Sequence, residues 1–423
     1  MREFWTAALA TGVVAAGALA ASAAATDAVA ADAIKIGVMS PHSGPAARVG
    51  EDVRNGVNMA REEALAAGDL PVTVGGEARD FEFVWVDSES SPEKGIRAVR
   101  RAITEDEVDI LMFGWHSSVG LAVIDVSAEY GKIHFGPLPA THRISEKIID
   151  NNYTHYFKGW PVIGAMAEQY VVAINDWKAK GLWDPAVKKA GILIEDSDWG
   201  RGWSDSLSER LVESGWEIIG EDVTKMDETS FGPIMTKYRA LGATLVGFTY
   251  NNPASVYAAV KAHADAGLQG LLIAEGLGWF AEWHQGTGDA ANFAVSMDSP
   301  RPLTDGQRDW MARYRDKFGH DASPATAGHA YDYTRMLAKG LAQAGTLETA
   351  ALSDVLLNLE HTGVWHHYAF SKEAGDSAMA PYEVKTGPFM EGFNFPLVQY
   401  YDGESMVVWP EEFAVGKFRA PTQ

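Results

Sequence analysis

Ile34-Lys35-Ile36-Gly37-Val38-Met39-Ser40, running into Pro41-His42-Ser43-Gly44-Pro45, is the stretch on which the reading of this chain turns. A short apolar run that stops at a Pro/Ser/Gly cluster predicts a buried strand ending in a turn. Val53, Gly56, Val57, Met59, Ala60, Ala64 and Leu65 then recur at helical spacing, so the chain begins as strand, loop and amphipathic helix. Upstream, Arg2 precedes a run of Ala, Val, Leu and Gly from Thr6 to Ala25. Small-residue cleavage patterns follow at Ala21-Ser22-Ala23 and Ala28-Val29-Ala30. Residues 1–30 therefore read as an export signal, cleaved ahead of the first strand; a membrane anchor fits less well, because the apolar run is Ala/Gly-rich and barely long enough to span.

Downstream the alternation continues. Strands are predicted at 81–86, 110–113 and 132–135, with helices at 92–103 and 118–130 between them. A second series follows Pro161, with helices through Trp177 and over 203–214, 234–241 and 254–266. Its strands fall at 190–194, 216–220, 244–248 and 270–274. Two such series predict an α/β fold of two doubly wound lobes, although no internal repeat is visible in the residues themselves. After Ser299-Pro300 the spacing is helical again, around Trp310, Tyr314 and Phe318 and from Tyr331 to Ala344. From Val364 onward it becomes strand-like.

Composition limits the function. The 423 residues are 47% hydrophobic and 22% charged, enough for a large core. Net charge is −22, from 57 acidic against 35 basic residues. Nucleic acid is thereby an unsuitable partner, since binding it needs a basic surface. The absence of cysteine excludes disulfides, thiolate metal sites, iron–sulfur clusters and cysteine nucleophiles. His361, His366 and His367, with His320 and His329 upstream, match no zinc spacing, and no metal or other cofactor is predicted. Asp196-Ser197-Asp198 begins like a calcium loop, but the glycine and terminal glutamate of that loop are out of register. There is no phosphate-binding Gly-x-x-x-x-Gly-Lys, no His-Glu-x-x-His and no Gly-x-Ser-x-Gly. His116 beside Ser117 does not make a base and nucleophile, because adjacent residues at a helix start point to different sides.

In an open parallel sheet, ligands bind beyond the carboxyl ends of the strands, where helices begin and present free N–H groups. The segments at those ends are Pro41-His42-Ser43-Gly44, Trp115-His116-Ser117-Ser118, Pro137-Leu138-Pro139-Ala140-Thr141, 195–200, Tyr250-Asn251-Asn252 and 275–279. Hydroxyls, a carboxylate and large aromatics in such places suit a small polar molecule with an apolar part.

Taken in order, Gly37…Ser43-Gly44-Pro45, Gly114-Trp115-His116-Ser117-Ser118, Pro137…Ala140-Thr141, Asp198-Trp199-Gly200-Arg201-Gly202, Glu275-Gly276 and Tyr331-Asp332 resemble the branched-chain amino-acid type of ABC transporter solute-binding protein. The resemblance spans nearly the whole chain after the signal. It implies a type I periplasmic binding protein clamshell of two Rossmann-like lobes joined by three chain crossings. Lobe I would comprise 34–156 plus 299–362, and lobe II 157–298 plus 363–423. It further implies a non-enzymatic, monomeric periplasmic protein that closes on a small ligand and docks on membrane permease subunits. The alternatives are a ligand-sensing receptor for a membrane kinase and, less fittingly, an exported hydrolase.

Site roles carry over residue by residue. Ser117 and Thr141, with His116, Pro139 and Ala140 in the same segments, are expected to take the ligand carboxylate. Glu275, beside Gly276, is expected to accept an ammonium group. Tyr250 and Tyr331 match aromatic ligand contacts. Two positions depart from the family pattern: Trp199 stands where Tyr is frequent, and Val49 where an aromatic is frequent. Trp115, Trp199, Trp203, Trp279 and Trp283 all fall at or just past predicted strand ends, and indole walls favour a flat or cationic group. Leucine itself is therefore not the expected ligand. Trp203 and Trp283 read better as core, and Ser117 and Thr141 double as candidate helix caps.

Overall fold

The computed structural model describes residues 32–297, 302–375, 377–388, 391–394 and 396–421; the predicted export signal lies outside them. Ile34–Ser40 is a strand, buried at every residue but Lys35. It lies between Phe81–Asp87 and Ile110–Met112, both parallel to it. His134–Phe135 and Tyr156–Phe157 complete a five-stranded sheet. Counted in chain order its strands stand 2-1-3-4-5, so the order reverses at Ile34–Ser40.

The second sheet repeats that order. Glu217–Thr224, Lys189–Glu195, Leu245–Thr249, Leu271–Glu275 and Val295–Met297 are parallel and again run 2-1-3-4-5. Leu397–Tyr401 and Glu404–Trp409 add two antiparallel strands at one edge. The repeat absent from the residues is thus present in the topology, and the doubly wound two-lobe prediction holds. Gly191 shows why one strand position needs a hydrogen for a side chain: an added Cβ would lie 2.7 Å from the Tyr238 ring. That ring covers the sheet and its hydroxyl bonds the Ile192 carbonyl and, at 2.6 Å, Asp222.

Helix starts follow local chemistry. Pro92–Thr104 begins after Ser91, whose Oγ accepts from the Lys94 N–H. The helix predicted from Trp203 begins earlier, at Asp198, because Ser197 Oγ accepts from Gly200 N at 3.1 Å. Helices His142–Asn151 and Thr349–Asn358 and the hairpin Val72–Val74 with Glu77–Arg79 were not predicted. Trp203 is fully buried and Trp283 6% exposed, in line with their reading as core.

The tail departs from the predicted lobe boundary. Residues assigned to lobe II from 363 onward instead pass along the first sheet, where Lys158 N donates to Tyr382 O at 2.8 Å and Val384 N to Lys158 O at 2.9 Å. Only from Leu397 does the chain pair with the second sheet. The physical cause is a fully buried ion pair, Lys158 Nζ to Glu383 at 3.1 Å. Glu383 also accepts from Ser145 Oγ and from the N–H groups of Met379 and Ala380 at 2.7 and 2.9 Å.

Removing one member of such a pair leaves the other buried without a counter-charge, which costs about 3–5 kcal/mol. Glu383→Gln is expected to lower unfolding stability by that amount in urea titrations, whereas adding Lys158→Met to it recovers part of the loss, because the buried ammonium is gone and the Gln carbonyl oxygen still accepts from the neighbouring N–H groups. A loss below about 1 kcal/mol for the single change would show that the pair does not anchor the tail.

Candidate functional site

The reversal in each sheet places two sets of strand-end loops opposite one another. Trp115 and Ser117 follow Ile110–Met112, Leu138 and Ala140 follow His134–Phe135, and Trp160 follows Tyr156–Phe157. From the second sheet come Trp199 after Lys189–Glu195, Asn251 after Leu245–Thr249, and Trp279 after Leu271–Glu275. These eight residues line one cavity of about 20 Å³. That is room for little more than a water molecule, so the cleft is closed upon itself.

Its walls are mostly indole. Trp279 meets Trp115 edge-on across the cleft, with ring centroids 5.3 Å apart and planes at 87°. It meets Trp199 at 5.4 Å and 59°. Trp199 is fixed by Nε1 donating to Thr249 Oγ1 at 2.7 Å, and Trp160 by Nε1 donating to Met166 Sδ at 3.3 Å. Trp115 is 8% exposed, and its Nε1–H has no hydrogen-bond partner among the described residues. Larger cavities exist, one of about 490 Å³ near Trp409 and Phe413, but that one lies away from both carboxyl edges.

The first sheet contributes helix beginnings. Helix Ser117–Glu129 starts after His116, and His142–Asn151 starts after Thr141; neither cap residue makes a side-chain cap bond. The expectation that Ser117 caps its helix is corrected: it is the first helical residue, and its Oγ instead accepts from Ala140 N at 3.2 Å. Two adjacent strand-end loops are thereby tied together. His116 is buried with neither ring nitrogen partnered, and burial pulls its pKa down to about 4. It is neutral near pH 7 and adds no charge to the cleft.

The second sheet contributes carboxyl groups, but behind the wall. Glu195 is buried, accepting from Asn251 N at 2.7 Å, Asn251 Nδ2 at 2.6 Å and Ser197 Oγ at 2.7 Å. Burial pushes its pKa up and these donors oppose the rise. Glu275 is fully buried, and its Oε2 accepts from Tyr170, whose hydroxyl also accepts from Met297 N at 2.8 Å. Glu275 is therefore turned into its own lobe and does not line the cavity. Gly276, at φ 97°, makes the reversal that swings Trp279 inward; an added Cβ there would also lie 2.7 Å from Tyr250 O.

Two further expectations are corrected. Tyr250 is buried against Phe231, with its hydroxyl on Thr224 Oγ1 at 2.6 Å, and it does not reach the cavity. Tyr331 packs on Trp310 at 5.6 Å and bonds Glu63 at 2.6 Å, because the first turn of its helix lays it on helices Ala47–Ala67 and Asp305–Phe318. Of the predicted residues, Trp115, Ser117, Ala140 and Trp199 share the cavity. His116, Pro139, Thr141 and Gly276 flank it in sequence. Trp160, Leu138 and Asn251 carry no role in the sequence reading, whereas Trp279 is there one of the strand-end indoles expected to wall the pocket, and it does so. Asn251, Leu138 and Trp279 stood among the strand-end residues, but nothing in the sequence marks the two-residue strand before Trp160.

Polar contacts at the rim also cross between the sheets. Arg48 Nε and Nη2 donate to Glu282 Oε1 at 2.9 and 2.8 Å, and Arg48 also pairs with the buried Asp52. Asp198 pairs with Arg143 through its side chain and donates its N–H to Ser118 Oγ at 3.0 Å. Among the described residues no cluster of His, Asp and Glu could hold a metal ion, and no helix is long and apolar enough to cross a membrane.

Two doubly wound sheets whose carboxyl edges close on one small pocket form a clamshell for a small solute. The chain belongs to the periplasmic binding protein family, whose model matches residues 33–388; its members bind solutes and are not enzymes. It is 24% identical over 319 residues to Leu/Ile/Val-binding protein homolog 3 of Brucella melitensis, covering 75% of this chain and 81% of that one. In fold it matches a putative branched-chain amino acid ABC transporter protein from Silicibacter pomeroyi, with a TM-score of 0.76 and 19% identity over 92% and 99% of the two chains. It also matches an ABC transporter solute-binding protein of R. palustris in complex with benzoate, with a TM-score of 0.70 and 16% identity over 92% and 97%.

Replacing His116 with Leu removes a buried imidazole that satisfies neither nitrogen, and an unsatisfied buried polar group costs about 1–3 kcal/mol. The variant is expected to be more stable at pH 7. The gain should grow as pH falls, because a depressed histidine pKa supplies stability that is full above about 6.5 and lost on acidification toward 4. Unchanged stability in urea together with lost solute binding would instead place His116 on the ligand. Glu282→Gln weakens a partly exposed rim pair worth about 1 kcal/mol. Small-angle scattering of the solute-free protein should show a larger radius of gyration; an unchanged radius would mean that the pair does not hold the cleft shut.

Proposed function

We propose that this protein is the periplasmic solute-binding component of an ABC uptake transporter, exported by its first thirty residues and working as a monomer. It captures a small carboxylate-bearing ligand, an amino acid or an aromatic or quaternary-amine analogue, and presents the closed form to membrane permease subunits. The observation that carries the reading is the cavity built from both carboxyl edges, with Trp115 and Trp160 on one side and Trp199 and Trp279 on the other. A ligand held there touches both lobes only when they are closed, which is how binding energy shifts a hinge equilibrium.

Family membership supports the solute-binding role, and the relatives named for Leu/Ile/Val binding and for ABC transport support uptake. The R. palustris protein of like fold holds benzoate, a flat carboxylate. Uncapped helix beginnings at Ser117 and His142 suit the carboxylate end, and the indoles suit a flat or cationic body.

A thermal-shift screen of amino acids, betaines and aromatic acids tests the reading. A true ligand at a hundred times its Kd should add about 2.7 kcal/mol of apparent stability. The same solute should change tryptophan fluorescence, since four indoles line the cavity. No response in either readout across the whole panel would overturn the proposal.

A further inference from the structure

We propose that the ligand is a zwitterion whose cation carries no N–H bonds, a quaternary-ammonium carboxylate of the betaine class. The inference rests on the solute-binding reading above and narrows its ligand.

The second-lobe wall decides the cation. No residue lining the cavity is charged. The carboxyl groups closest in sequence to Asn251 and Trp279 face protein donors: Glu195 takes two N–H bonds from Asn251 and one O–H from Ser197, and Glu275 takes the Tyr170 hydroxyl. A primary ammonium brings three donors, and each needs an acceptor once buried. Among side chains the wall offers it indoles, the Asn251 amide, and a Ser117 Oγ that already accepts from Ala140. A trimethylated nitrogen has no donor to leave unsatisfied and is attracted by the negative faces of the rings.

The ring geometry points the same way. Flat ligands stack between near-parallel walls. Here Trp279 stands at 87° to Trp115 and 59° to Trp199, the corner of a box, which suits a compact rounded cation better than a benzene ring.

The first-lobe side supplies the anion's partners. Trp115 is more than nine-tenths buried, lines the cavity, and carries an indole N–H that has no partner among the described residues. Thr249 holds that of Trp199 and Met166 that of Trp160. With the uncapped start of helix Ser117–Glu129 two residues on, the Trp115 N–H gives a carboxylate a charge-assisted bond on the first-lobe side of the cavity.

Isothermal titration of the full mature chain with glycine, sarcosine, dimethylglycine and glycine betaine tests this, with leucine and benzoate as comparators. Affinity should rise with each methyl group, by 100-fold or more from glycine to glycine betaine, and benzoate and leucine should bind at least 10-fold more weakly than the betaine. Trp115→Phe, folded by circular dichroism, should weaken glycine betaine at least 10-fold while leaving melting temperature near the parent's. Tight binding of leucine or of benzoate would overturn the betaine assignment and leave the solute-binding reading standing. So would unaltered betaine affinity in Trp115→Phe. Failure of every solute, here and in the broader screen, would overturn both.

Discussion

In both sheets the first strand is flanked by the second and the third, so the helices that follow the first and third strands leave on opposite faces and must part at the carboxyl edge. Nothing in the backbone fills that parting, and the side chains of the strand-end loops do so instead. This is the constraint on which the cleft depends. It explains why Trp115, Trp199 and Asn251, which come from the first and third strands of their sheets, stand at the centre, and why Trp160 and Trp279, from later strands, close the sides. Helix beginnings occur at the same edge for the same reason, because a parallel strand can be followed only by a crossover that returns the chain to the other end.

Most of this was legible in the residues. Ile34–Ser40, Phe81–Asp87, Leu245–Thr249 and Leu271–Glu275 are apolar runs bounded by turn residues, and the pattern needs nothing beyond periodicity to find them. What periodicity does not carry is the direction of a side chain at a strand end. Glu275 was placed at the right edge, yet it turns back to Tyr170, a residue on a helix more than a hundred positions earlier. Tyr331 failed through helix register: two residues on, Tyr333 reaches inward to Gly159 O at 2.6 Å, while Tyr331 packs against Trp310. Trp160 was missed because Tyr156–Phe157 is two residues long and shows no period. The lobe boundary was misplaced because Lys158 and Glu383, 225 positions apart, form a buried pair that no local pattern announces.

The closed cleft is held by two kinds of contact that respond differently to a ligand. At the rim, Arg48 with Glu282 and Arg143 with Asp198 are partly solvated pairs, each worth little and insensitive to what lies between the sheets. In the interior, Trp115 on Trp279 is a dry aromatic contact, worth about 0.5–1.5 kcal/mol beyond its buried area. A solute larger than one water must part these two rings before it can enter, so it forfeits their contact and must replace it on both sides. A ligand that touches one lobe alone therefore gains nothing from closure, and selectivity rests on bridging the distance between Trp115 and the second-lobe indoles.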